Sequence, residues 1–103
     1  MFLQIVDVEW GDRYRLRLWF SDGREGVADL AESVVEGVFE ALQDVALFRQ
    51  VRVDGELGTV QWPNGLDFAP EYLYFLAFRE DGDLQEQFRQ WGYLGNEVAV
   101  GGG

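Results

Sequence analysis

The chain has 103 residues, 48% of them hydrophobic and 16% aromatic, which suits one folded domain with a usable core. It contains no cysteine and no histidine, and all eight basic residues are arginines. Disulfide, thiolate, imidazole and lysine Schiff-base chemistry are therefore excluded. The net charge of −11 should repel phosphate backbones, so direct nucleic-acid binding is not expected.

The first residues, MFLQIVDVEW, have no basic stretch and acquire charge by Asp7, so they do not read as a signal peptide. No apolar run approaches the ~20 residues of a membrane-spanning helix. The expected compartment is the cytoplasm. Residues 2–10 and 13–20 read as strands. In the second, Arg13, Arg15 and Arg17 alternate with Tyr14, Leu16 and Leu18, the period of a half-buried strand. A three-residue loop at 11–13 would set Trp10 opposite Tyr14, Glu9 opposite Arg15, Val8 opposite Leu16 and Asp7 opposite Arg17. This register matches charges on one face and apolar groups on the other. It spends the arginines on local carboxylates, leaving little for a phosphate strip. Asp22-Gly23 is a hairpin signal leading to a third strand at about 25–29.

Within 31–44, Val35, Val38, Phe39 and Leu42 fall at helical spacing, and Gly37 narrows the expected helix to about 37–43. Were the helix continuous, Glu32, Glu36, Glu40 and Asp44 would form an acidic ridge, either a solvated face or a dock for an arginine-rich partner. Residues 47–53 and 57–62 read as a fourth and fifth strand joined through 54–56. The stretch WPNGLDFAPE follows at 62–71. Pro63, Asn64 and Gly65 suit a tight turn, and Pro70 with Glu71 suits a helix start. The helix at about 70–77 is apolar nearly all round and needs cover, either from the C-terminal segment or from a second copy.

The tail from 79 opens on REDGD. Asp83 with Glu86 fits a capping box for a third helix at 84–91, and Gly92 fits its stop. Residues 98–100 read as a short strand. The acids Glu80, Asp81, Asp83 and Glu86 lack calcium-loop spacing. The expectation is an α+β domain: an antiparallel sheet of about five strands in the order β-β-β-α-β-β-α, with a C-terminal helix appended.

The segments FSDG (20–23), ADL (28–30), GVFEALQD (37–44), TVQWPNGLD (59–67) and APEYLY (69–74) together resemble a widespread bacterial family of domains of unknown function. Its mark is WPNG-x-D-hydrophobic-x-P-E-x-LY. The resemblance covers residues 1–78 and leaves 79–103 as a C-terminal extension on the same domain. It implies a small α+β fold with no established activity. Some relatives are encoded beside small toxin-like proteins, which implies antitoxin or regulatory roles.

The leading expectation is a non-enzymatic, cofactor-free interaction or regulatory module. It would bind a protein partner, such as a neighbouring gene's product, or a second copy as a homodimer. Candidate contacts are Trp62, Asp67, Glu71, Tyr72, Phe75, Glu36 and Glu40, with Trp62 beside two acids forming an aromatic-plus-acid spot. Two other readings stand beside it. One is a carboxylate or metal-dependent enzyme using Asp67, Glu71 and Asp22, although no nucleophile or base accompanies them. The other is an acidic mimic of nucleic acid.

Overall fold

The computed structural model describes residues 2–35 and 37–93. The alternation in RLRLWF makes Arg15–Phe20 the central strand, β2, between β1 (Ile5–Trp10) and β3 (Glu25–Asp29) in an antiparallel sheet. Leu16, Leu18 and Phe20 are buried, while Arg15 and Arg17 are exposed. The register of β1 on β2 is two residues from the one expected. Trp10 faces Leu16, Glu9 faces Arg17 and Val8 faces Leu18. Two residues is the strand period, so each side chain keeps its expected face.

The shift comes from a wider loop. The Arg15 N–H donates to the Asp12 carbonyl at 2.8 Å and the Gly11 N–H to the Arg15 carbonyl at 3.0 Å. Arg13 turns the corner at a φ of 48°, and its carbonyl accepts the Trp10 indole N–H at 2.9 Å. The arginines do meet local carboxylates, but from the loop and β3 instead of β1. Arg15 lies 3.3 Å from Asp12 and 3.5 Å from Asp29, and Arg17 lies 2.7 Å from Glu25.

The segment at 37–43 is a helix as expected, but of the tighter 3-10 kind (Gly37–Gln43). Gly37 sits at a φ of 70°, which breaks helical continuity with the turn before it. Asp44 is not the next rung of a ridge. It caps a separate one-turn helix, α1 (Val45–Phe48), its carboxylate accepting the Ala46 N–H at 3.0 Å. The run expected as one strand at 47–53 is thereby divided between α1 and β4 (Arg52–Asp54). β4 pairs antiparallel with β5 (Thr59–Gln61) in a second sheet. The five antiparallel strands thus form one sheet of three and one of two, in an α+β fold.

Helix α2 (Pro70–Phe78) is covered on two sides. On one it packs against β3, where Gly26 lies so close that a methyl group there would sit 2.7 Å from the Phe78 ring. On the other it meets α3 (Gln85–Trp91): Phe75 lies edge-on to Phe88 at 5.2 Å and stacks on Tyr93 at 4.9 Å. The chain's own C-terminal segment supplies the cover that a second copy was invoked for. A 3-10 turn (Gly82–Leu84) precedes α3, capped by Asp81 and not by Asp83: the Asp81 carboxylate accepts the Asp83 N–H at 2.8 Å. Gly92, at a φ of 95°, ends α3. The strand expected at 98–100 lies outside the described residues. Among those residues no helix is long and apolar enough to cross a membrane.

Candidate partner-binding surface

The WPNG stretch folds as its turn residues dictate. The Gly65 N–H donates to the Trp62 carbonyl at 2.9 Å, with Pro63 and Asn64 between them. Gly65 takes a φ of 88°, and the Trp62 N–H then donates to the Leu66 carbonyl at 3.0 Å. This is a three-residue hairpin with glycine at its left-handed position. It folds 66–68 back along β5, where Gln61 bridges Asp67 and the Thr59 hydroxyl donates to the Phe68 carbonyl at 2.6 Å. The expected aromatic-plus-acid spot is not formed. Trp62 is 1% exposed, its indole N–H donates to the Phe48 carbonyl at 2.7 Å, and its rings meet Phe48 and Phe68. An indole so placed belongs to the core and cannot reach a partner. Asp67 is exposed, and Asn64 in its stead accepts the turn's Leu66 amide at 3.2 Å.

The remaining candidates are scattered. Glu71 stands half-buried in the first turn of α2. Burial, and then the Glu71 charge, push the Tyr93 hydroxyl above its ordinary pKa. Tyr72 stacks near Phe68 and shares a 2.7 Å hydrogen bond with the Ser33 hydroxyl. Phe75 is held by Phe88 and Tyr93 and carries the Arg79 guanidinium 5.0 Å above its ring. Glu40 is exposed on the 3-10 helix, and Glu36 lies outside the described residues. With Asp44 spent as a cap, the acidic ridge is not a continuous helical face.

Asp22 serves a different structure from the one expected. It accepts the Tyr74 hydroxyl at 2.6 Å and the Arg24 N–H at 2.9 Å, while the Arg24 guanidinium reaches Asp81 at 3.2 Å. The cluster fastens the β2–β3 turn to α2 and the start of the C-terminal segment. Burial first, then the bond to Asp22, push the Tyr74 hydroxyl up to about 12. Among the described residues no three acids gather to hold a metal ion.

One surface was not legible in the sequence. Between β3 and α2 runs an open cavity of about 390 Å³ lined by Val27, Asp29, Ala31, Glu32, Leu76 and Arg79. A second, of about 300 Å³, continues from Asp29 and Ala31 to Arg13, Tyr14 and Arg15. Only the docking of α2 against β3 creates this groove. The one local hint was Val27, apolar on the charged face of its strand and 45% exposed.

Comparison with known proteins fits this architecture. A model of a protein family of unknown function, DUF2442, matches residues 5–79. The chain belongs to the DUF2442 family. The match spans nearly the stretch over which a family resemblance was expected. No curated protein matches this DUF2442 chain. A solved structure similar to it is the crystal structure of a protein from Nitrosomonas europaea named as a candidate DNA-binding protein. The two superpose with a TM-score of 0.68 at 24% identity, over 80% of this chain and 53% of that one. The chain spans about half the length of that relative, and the likeness is one of fold. It corrects the expectation against nucleic-acid binding: the same fold occurs in a protein so named. Net charge describes a whole surface and does not set aside a local one.

Proposed function

We propose that this DUF2442 chain is a non-enzymatic interaction module that binds a protein partner in the cytoplasm, in a regulatory, antitoxin-like role. The observation that supports this reading is the groove between β3 and α2. It is open, it joins an apolar floor at Val27 and Leu76 to charged groups at Asp29, Glu32 and Arg79, and it adjoins a strand edge. Such a combination suits recognition of a polypeptide. The test is titration calorimetry of the purified chain against the product of the adjacent gene at low salt. Saturable binding is expected, weakened by Leu76→Glu. Absence of heat and of co-purification overturns the reading.

A second reading is DNA binding, favoured by the name of the Nitrosomonas europaea relative. Arg13, Arg49 and Arg52 stand outside the ion pairs of the described residues and would be the contacts. Fluorescence anisotropy with a labelled duplex tests it. Binding should fall steeply with salt and on Arg49→Gln with Arg52→Gln. A flat titration at 50 mM salt, on the order used to detect non-specific binding, excludes it.

A further inference from the structure

We propose that the open edge of β3 is a docking strand for an extended basic segment of a partner protein, seated in the groove beside α2. The inference rests on the interaction-module reading and gives that partner a chemistry.

The register of the sheet determines which backbone groups are free. The Phe20 N–H donates to the Arg24 carbonyl and the Leu30 N–H to the Tyr14 carbonyl, and β2 pairs Leu16 with Ala28 and Leu18 with Gly26. In an antiparallel ladder hydrogen-bonded pairs alternate with non-bonded ones. The even-numbered residues of β3 therefore bond to β2. The N–H and C=O groups of Glu25, Val27 and Asp29 point to the open side, and none has a backbone partner among the described residues. Edge strands are commonly blunted by proline, lysine or a bulge. β3 reads EGVAD and its register is unbroken, so it has none of these. Space for a further strand lies alongside, in the cavity between Val27 and Asp29 on one side and Leu76 and Arg79 on the other.

Charge selects the occupant. On the outer face of the sheet β1 carries Asp7 and Glu9, β2 carries Arg15 and Arg17, and β3 carries Glu25 and Asp29. The sign alternates strand by strand, and the next strand in that order is basic. A second copy does not fit. Antiparallel pairing of two β3 strands about Val27 would set Glu25 against Asp29 of the other copy, and like charges directly opposite are destabilising. Glu25 is held by Arg17 at 2.7 Å, Asp29 shares Arg15 with Asp12, and Glu32 at the groove has no ion pair among the described residues. Negative charge therefore remains for an incoming cation. The fitting segment places cations opposite Glu25 and Asp29, an apolar residue opposite Val27, and the intervening side chains over Leu76.

The probe is a capped peptide with arginine, valine and arginine at alternate positions and threonine elsewhere. It is compared with a version carrying glutamate for arginine and one N-methylated at the valine amide. Amide chemical shifts and hydrogen exchange of the full chain are the readouts. The parent peptide should shift and protect residues 25–29 saturably. The other two should bind at least tenfold more weakly, since one reverses the charge and the other removes a main-chain donor. Glu25→Gln with Asp29→Asn should abolish the preference for arginine over glutamate. Equal binding of the N-methylated peptide, changes mapping elsewhere, no binding of the parent, or protection of 25–29 by self-association alone overturns the proposal. A gene-neighbour partner that binds while leaving 25–29 unprotected overturns the edge assignment but retains the interaction module.

Discussion

At the scale of single residues, two polar contacts made by aromatic core residues carry measurable consequences. Trp62 has one buried donor and spends it on the Phe48 carbonyl. Trp62→Phe keeps much of the ring but removes that donor, and the Phe48 carbonyl retains only the longer bond from the Val51 N–H at 3.3 Å. The lost hydrogen bond is worth roughly 0.5–1.5 kcal/mol, and urea unfolding should show a loss of at least that size. Tyr74 offers a pH test. Its hydroxyl is neutral in the fold and is pushed from 10.0 up to about 12 by burial and by Asp22. A raised pKa means that the stabilisation is whole below pH 10 and is lost as pH rises toward 12. Tyr74→Phe should thus be less stable at pH 7 by about 1–3 kcal/mol, having lost a hydrogen bond to a charged group. The gap from wild type should narrow between pH 10 and 12. Parallel stability curves across that range would show that the hydroxyl does not titrate as the fold requires.

At the scale of elements, the decisive contact is that of α2 on β3. Gly26 and Ala28 leave a small-residue track on which the helix can lie, with Gly26 beneath the Phe78 ring. That ring cannot swing away freely, because Phe20 lies 5.6 Å and Tyr74 4.8 Å from it and Arg24 is 5.9 Å above it. Gly26→Ala should therefore push helix from strand and cost ~1–3 kcal/mol, in the range of core overpacking. Gly55→Ala, where nothing lies within 4 Å, is the matched control in a thermal scan and should change little. Equal effects of the two would refute the close approach. The same contact marks where sequence reading stops. The period-2 pattern of β2 and the turn chemistry of Asp22-Gly23 and WPNG are local, and they were legible. The short helix at 45–48 was not, because LFRQVRV has the composition of a strand and only Asp44 as a cap turns its start into a helix. Trp62 read as a site because local sequence cannot say which side of a hairpin faces the core. The β3 groove was invisible for the same reason: its two walls are more than forty residues apart in the chain.

At the scale of the whole molecule, charge and cover act against each other. The aromatic surfaces of α2, α3 and the hairpin at 62–66 draw the chain together, while a net charge of −11 pushes it apart. The ion pairs do little to offset this. Arg15, Arg17, Arg24 and Arg89 hold Asp12, Asp29, Glu25, Asp22, Asp81 and Glu86, all at least partly exposed, and such pairs are worth about 0–1 kcal/mol each. Most of the carboxylates among the described residues lie outside these six. With a radius of gyration of 14.0 Å, their mutual repulsion spans the folded molecule when the screening length is about 30 Å, at ~0.01 M salt. At ~0.1 M the length falls to about 10 Å and only neighbours interact. Unfolding spreads the same charges apart, so repulsion weakens the compact state more than the open one. Adding sodium chloride should therefore raise the unfolding temperature, and a fall would mean that the ion pairs outweigh the net charge. Glu40→Arg isolates the effect. It alters an exposed position on the 3-10 helix that takes no part in those ion pairs. The variant should be more stable than wild type at low salt, and the advantage should fade as salt is added. An advantage that persists unchanged at high salt would assign it to local contacts and not to the acidity of the whole.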